Sequence, residues 1–266
     1  MKFLVFTKQI PDPDIPPARF VVDESTNTVI PPSGSSPAIS TYDELAVEAA
    51  LRLRDGLGGE VTIVSLCNDP VMNVIKKPLA MGADDLIILQ DAAFDGGDAM
   101  TTSRILAAAV KKIGDYDLIL CGRQAGDWDN GQVGSYVAEM LGIPCIINIG
   151  SLEILEGKVR GDRTTKEGRD IIESPLPALV TAGDEVGVAR YPKLRDIMAA
   201  GRKQPVIWSV GDLGLDPSAV GYSGSLTKVR RLYVEEKASE VEIIEGETPS
   251  EAGVNLALKL RDLKVI

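Results

Sequence analysis

The side chains best suited to chemistry fall in one stretch, residues 121–134, written CGRQAGDWDNGQVG. Small and polar residues crowd it. An apolar, β-prone run (116–120) precedes it, and a run with helical apolar spacing (135–141) follows and stops at Gly142-Ile143-Pro144. A loop that feeds a helix start is a natural anion site. The first N–H groups of a helix have no internal partner, and its dipole favours negative charge there. Gly131 and Gly134 would let a phosphate approach the backbone. The loop is longer than the roughly 2–6 residues usual between a strand and a helix, which tilts the reading from plain connector toward function. Asp127 and Asp129 have no third metal ligand nearby, so loop shaping by carboxylates that accept backbone N–H bonds is preferred over a metal or acid/base pair. Trp128 between them is either a stacking surface for a planar ring or an exposed loop aromatic, with a slight preference for the second.

The composition removes several function classes. The net charge of −11 over 266 residues opposes nucleic acid or an anionic membrane as main partner. With no histidine, Ser-His-Asp and Cys-His catalysis and histidine metal sites are excluded. Cys67, Cys121 and Cys145 show no CxxC spacing and suggest a reducing compartment. The N-terminal apolar run is too short for a signal peptide, and no segment approaches the ~18–20 apolar residues of a membrane span. A cytoplasmic protein (or one of a matrix) is the expectation.

Stepping outward from the loop, strands are expected at 3–7, 60–66, 85–89 and 116–120. Helices are expected at 41–56, 70–81 and 98–113. Thr41 and Glu44 have capping-box spacing, with Thr41 as N-cap. A small hairpin is expected around residues 20–30. Alternating strands and helices predict a parallel sheet covered on both faces, with ligand beyond the carboxyl ends of the strands where the strand order switches. Segments 6–12, 66–70 and 121–134 lie at such ends, and the start of the 41–56 helix is placed to join them. After Pro144 a hairpin is expected over 151–163, followed by short strands at 171–172 and 178–181. A basic amphipathic segment spans 190–203, and a last strand is expected at 206–210. From Gly211 the chain reads as a Pro/Gly/Ser-rich, then acidic arm that ends in a helix over 249–263. There is no GxGxxG after a strand and no Walker loop.

Six pieces, in order, carry a family resemblance: LVFTKQIPD (4–12), ELAVEAALRLRD (44–55), LAMGADD (79–85), LILCGRQAGDWDNGQVG (118–134), PLPALVTA (175–182) and RYPKLRDIMAAGRK (190–203). Along nearly its whole length the chain resembles the β subunit of electron transfer flavoprotein. The resemblance implies an α/β fold: a parallel-sheet nucleotide-binding domain of adenine nucleotide α-hydrolase type over residues 1–210. This domain includes the hairpin region 151–172 and a partner-docking segment 190–203. A C-terminal arm, 211–266, would wrap a homologous α subunit. The heterodimer would carry electrons through an FAD held mainly by the α subunit, and the β subunit would bind AMP or, in electron-bifurcating members, a second FAD.

Carried over position by position, the cofactor site would use Phe6, Ser40, Thr41, Tyr42, Asp43, Leu66, Gly122, Arg123, Gln124, Asp127, Asp129, Asn130, Gly131, Gln132, Val133 and Gly134. Docking would use Arg190, Tyr191 and Leu194. Arg123 is expected either beside the flavin or in a salt bridge to a nearby aspartate. The implied partners are an acyl-CoA dehydrogenase or similar flavoenzyme, and a quinone or ferredoxin acceptor. KQIPD (8–12), DAAF (91–94) and CGRQ (121–124) look like bifurcating members, which take electrons from NADH. Ser40-Thr41 in place of Asn-Pro and Trp128 in place of glycine depart from them. The margin is small and favours FAD. An ATP- or AMP-binding regulatory domain similar to the universal stress proteins is the alternative; it leaves residues 150–266 without a role. An ATP pyrophosphatase lacks support, because KQIPDPD stands where its SGGxDS-type loop belongs.

Overall fold

The computed structural model describes residues 1–235 and 241–266. Its strands, in chain order, are β1 (Lys2–Phe6), β2 (Gln9–Ile10), β3 (Val21–Asp23), β4 (Thr28–Ile30), β5 (Ala38–Ile39), β6 (Glu60–Leu66), β7 (Asp85–Leu89), β8 (Leu118–Gly122), β9 (Cys145–Leu155), β10 (Lys158–Thr165), β11 (Gly168–Pro175), β12 (Ala178–Ala182) and β13 (Val206–Trp208). The helices are α1 (Thr41–Leu57), α2 (Met72–Ile75), α3 (Lys77–Met81), α4 (Ala99–Ile113), α5 (Val133–Leu141), α6 (Leu194–Arg202), α7 (Gly221–Gly224) and α8 (Pro249–Asp262).

One 9-stranded sheet runs β11-β10-β9-β12-β8-β1-β6-β7-β13. From β9 to β13 the pairings are parallel, and β9-β10-β11 add an antiparallel meander. The expected α/β architecture is present. β1 sits at the centre of the parallel part, and its residues alternate between two cores: Phe3 and Val5 pack on the side of α1, α3 and α6, and Leu4 and Phe6 on the side of α4 and α5. A strand buried on both faces is apolar along most of its length, which is why β1, β7 and β8 read as apolar runs and β6 and β12 depart from one only at small hydroxyl residues, Thr62, Ser65 and Thr181, and at Glu60, the first residue of β6.

Several expected boundaries move, each for a physical reason. The N-cap of α1 is Ser40, not Thr41, and its carbonyl accepts the N–H bonds of Asp43 and Glu44. The capping box does not form: Glu44 pairs instead with Lys77. The helix also runs past Gly56 and stops at Gly58, where φ is +75°. The single helix expected over 70–81 is two short ones, with Pro78 in the first turn of the second. α5 begins at Val133, ahead of Ser135, and β8 ends at Gly122. The 151–163 hairpin is part of the longer meander, in which residues 168–175 form its outer strand.

By contacts the chain forms two units, residues 1–232 and 233–266. The first takes in residues 211–232, where the composition suggested an arm. Val220 is fully buried, and Asp98 accepts N–H bonds from Leu226 (2.9 Å) and Thr227 (3.0 Å) while it caps α4 through Thr101 N–H. Asp91 and Asn68 tie the neighbouring turns together, Asp91 through Val210 N–H at 3.0 Å. In the second unit, α8 is capped by Thr248 and buries none of its residues; Val254, Leu256 and Leu258 stand exposed. The acidic part of the expected arm includes residues 236–240, which lie outside the described residues.

Candidate nucleotide site and docking segment

The chain leaves β1 toward β6 and β7 on one side and returns through β8 on the other, so the strand order switches between β1 and β8. Ligands in open parallel sheets sit beyond the carboxyl ends at such a point. Here the first turn of α1 closes over it. Asp43, 7% exposed, accepts Lys8 N–H on Oδ2 at 2.8 Å and Gly122 N–H on Oδ1 at 3.0 Å, stapling the two strand ends together. Burial pushes its carboxyl up to about 7, against the opposing pull of those two N–H bonds. Gly122 is required by closeness: a Cβ there would meet Tyr42 Cβ at 2.6 Å and Asp43 Oδ1 at 2.7 Å.

The 123–132 loop is drawn back over this end. Gly126 N–H donates to Ser40 Oγ at 3.3 Å, and Lys8 Nζ pairs with Asp127 at 2.6 Å. Gln124 donates to Asp129 Oδ1 at 2.8 Å, and Asp129 itself takes φ +51°. The Lys8–Asp127 pair is partly exposed and is worth about 0.2–1 kcal/mol. The two N–H bonds on Asp43 are buried, where leaving a donor unmet costs about 1–3 kcal/mol, so they dominate the closure. Arg123 lies over the Tyr42 ring, 4.6 Å from its centroid, and donates to its hydroxyl at 2.8 Å. Asp184, at 3.5 Å, is the neighbouring aspartate foreseen for it.

Three observations bear on whether a nucleotide fits. The successive N–H groups from Asn130 to Ser135 have no acceptor among the described residues. They lead into α5, whose N-terminus adds positive potential. Thr7 Oγ1 and Arg123 Nε are buried polar atoms without a partner among the described residues. Such a run of donors at a helix start suits an anion. The two loop glycines, however, do different things. Gly131 takes φ +62°, and a Cβ there meets only Arg123 O at 3.5 Å. Gly134 is buried against the sheet, where a Cβ would lie 2.8 Å from Thr181 Cγ2 and 2.9 Å from Cys121 Sγ. Its side-chain face therefore serves helix-to-sheet packing rather than phosphate approach.

Ser40–Asp43 and Gly122–Gly134 thus converge on one place. Phe6 and Ser40 are buried there, and Thr41 and Trp128 are exposed, Trp128 by 50%. Leu66 lies at the end of β6, which flanks β1 on the side away from β8. Thr7, Lys8 and Asp184 are absent from the position-by-position set, although Thr7 and Lys8 fall in the 6–12 segment that the strand-end reading placed here. Lys8 and Asp127 are separated by 119 positions, so no local pattern links them; the available signal was the position of Lys8 just after an apolar strand. Among the described residues no group of acidic or cysteine side chains could hold a metal, and the three cysteines are free.

The docking candidates lie elsewhere. Tyr191 and Leu194 are 90% and 74% exposed, and Ile197 and Met198 are exposed beside them on α6. Arg190 instead turns inward, to Glu48 and Asp55 of α1, at 2.8 Å each.

A sequence model of the electron transfer flavoprotein domain matches residues 29–213. The chain is 37% identical to the electron transfer flavoprotein subunit beta of Thermoanaerobacterium thermosaccharolyticum, over the full length of both. It is 35% identical, again over the full length of both, to the caffeyl-CoA reductase-Etf complex subunit CarD of Acetobacterium woodii. Protein FixA of Azorhizobium caulinodans is 34% identical over 92% of this chain and 90% of its own. No helix among the described residues is long and apolar enough to cross a membrane.

Proposed function

We propose that this chain, which belongs to the electron transfer flavoprotein β-subunit family, pairs with an α subunit and passes electrons between an acyl-CoA dehydrogenase or similar flavoenzyme and a quinone or ferredoxin acceptor. The observation that carries this reading is the run of unpartnered N–H groups from Asn130 to Ser135, at the strand-order switch of a chain with full-length β-subunit relatives. The phosphates of a nucleotide would lie against these groups. Lys8 and Arg123 are the cations at the same strand ends.

The nucleotide is FAD in preference to AMP. Its isoalloxazine, when bound, supplies the electron-transfer chemistry. The residues of this chain hold and orient it. Arg123 is fixed by Tyr42, and a fixed guanidinium favours the negative charge of a reduced ring. The bifurcating-type pieces at 8–12, 91–94 and 121–124, and a relative named as part of a caffeyl-CoA reductase-Etf complex, support a second flavin and electron input from NADH. The exposed apolar residues of α8, with a cavity of about 420 Å³ lined by Val254, Ala257, Leu258, Arg261 and Ile266, suit burial against the α subunit. Acid extraction of the co-purified, yellow heterodimer tests the assignment. Two FAD per dimer are expected; one FAD and one AMP would make it a simple carrier. A colourless product that runs as separate subunits would overturn the reading.

The dehydrogenase would dock on α6. An exposed leucine anchor, with Lys193, Arg195 and Arg202 around it, has the make-up of a hot spot inside a polar rim. Leu194→Ala is expected to slow electron transfer from the dehydrogenase about tenfold at low dehydrogenase concentration, within the range of a hot-spot truncation, and to leave flavin content unchanged. Stopped-flow rates equal to those of the wild type would exclude the anchor role.

A further inference from the structure

The docking reading leaves unexplained why an exposed, mostly unburied segment is held at all. α6 buries only Ala200, and residues 187–193 have no regular structure apart from the turn that leads into them. A patch that had to be ordered at each encounter would bind weakly, because ordering it opposes association. Yet the root of this segment is tied to one buried carboxylate. Glu48, on the middle of α1, is 4% exposed. Its Oε2 accepts Arg190 N–H at 3.1 Å and Arg190 Nε at 2.8 Å; its Oε1 accepts Arg52 Nε at 2.8 Å and Arg190 Nη2 at 3.2 Å. Arg52 then spends its other nitrogens on the carbonyls of Val186 (2.8 Å) and Val188 (3.1 Å). Arg190 Nη1 reaches Asp55 at 2.8 Å.

We propose that Glu48 is the positioning residue of the docking segment: through Arg190 and Arg52 it locks residues 186–190 onto α1, so that Tyr191, Leu194, Ile197 and Met198 are presented to a partner flavoprotein as a fixed patch. The inference rests on the docking reading above. Both carboxylate oxygens are saturated, and the donors include two guanidiniums and a main-chain N–H, so the position and direction of the chain at Arg190 are set together. Burial would push the Glu48 carboxyl up, but the hydrogen bonds from Arg190 and Arg52 overturn this and hold it below its ordinary value, so it stays charged at neutral pH. The far end of α6 has its own anchor. Lys76, buried, donates to Gly201 O at 3.1 Å, and Lys203 donates to the carbonyl of Asp84. The exposed apolar residues lie between two fixed ends.

The test uses the heterodimer, with an acyl-CoA dehydrogenase reduced by its own substrate as electron donor. Glu48→Gln is expected to speed hydrogen exchange in residues 186–193 and to raise the KM for the dehydrogenase about tenfold, equivalent to about 1.4 kcal/mol. The kcat and the flavin content stay unchanged. Glu48→Asp, which keeps the charge on a shorter stem, restores part of both readouts, and Asp55→Asn gives a smaller shift in the same direction. If Glu48→Gln yields no folded heterodimer, those two variants carry the test. Unaltered exchange at 186–193, or a loss of kcat and flavin in place of the KM effect, overturns the proposal. If Leu194→Ala has no effect on rate, the docking reading fails, and the exchange result still decides whether Glu48 holds the segment.

Discussion

Gly131→Val is expected to empty the nucleotide site of this subunit while the flavin of the α subunit stays in place. The cause is backbone conformation, not collision. At φ +62° a Cβ meets only Arg123 O, at an ordinary 3.5 Å, but a β-branched residue is strained in this region. The strain amounts to about 1–3 kcal/mol. The loop can relieve it by leaving the geometry that aligns the N–H groups of Asn130 to Ser135. Binding then weakens by roughly 5- to 150-fold, the same free energy expressed as affinity. Gly131→Asn, which tolerates positive φ, is expected to keep most of the nucleotide. Acid extraction and chromatography of the two heterodimers measure the difference; full nucleotide in the valine variant would place the site elsewhere.

Asp43→Asn is expected to flatten the pH dependence of stability. Folding raises this carboxyl from 3.8 to about 7, chiefly by burial. Between those values the folded chain keeps a proton that the unfolded chain has released. Stability contributed by this group is therefore full below pH 4 and is lost as the pH rises through 7, by about 4 kcal/mol in all. Asparagine does not titrate, so denaturant unfolding of wild-type and variant heterodimers at pH 5 and pH 8 should show their difference shifting in the variant's favour at the higher pH. An unchanged difference between pH 5 and pH 8 would mean that the N–H bonds from Lys8 and Gly122 outweigh burial and keep Asp43 ionised throughout.

How much of this was legible in the sequence depends on distance along the chain. The central strands were readable because burial on both faces demands mostly apolar runs, and α4 was readable from its apolar spacing and the Asp98 start. Strand order was not readable, since parallel neighbours such as β1 and β8 share no local signal. The start of α1 was misplaced by one residue because Glu44, which has the right spacing for a capping box, is engaged by Lys77, 33 positions away. Residues 211–232 looked like an arm because they are polar. Their packing combines a few apolar anchors, Val220, Leu213 and Leu215, with main-chain contact: Tyr222 N–H donates to Asp95 O, and a Cβ on Gly221 would meet Ala93 O at 2.1 Å. In the site, the glycine-rich loop announced itself, whereas the staple through Asp43, the tether of Asp127 to Lys8 and the inward turn of Arg190 all join residues that only the fold brings together.

The place of β12 in the sheet has a consequence for synthesis. β12 lies between β8 and β9, yet it follows β9, β10 and β11 in the chain. Until residues 178–182 have left the ribosome, the meander has no hydrogen-bonded strand through which to join the sheet centred on β1. The nascent chain therefore carries two separate ladders, and one short, fully buried strand, inserted last between them, turns them into one.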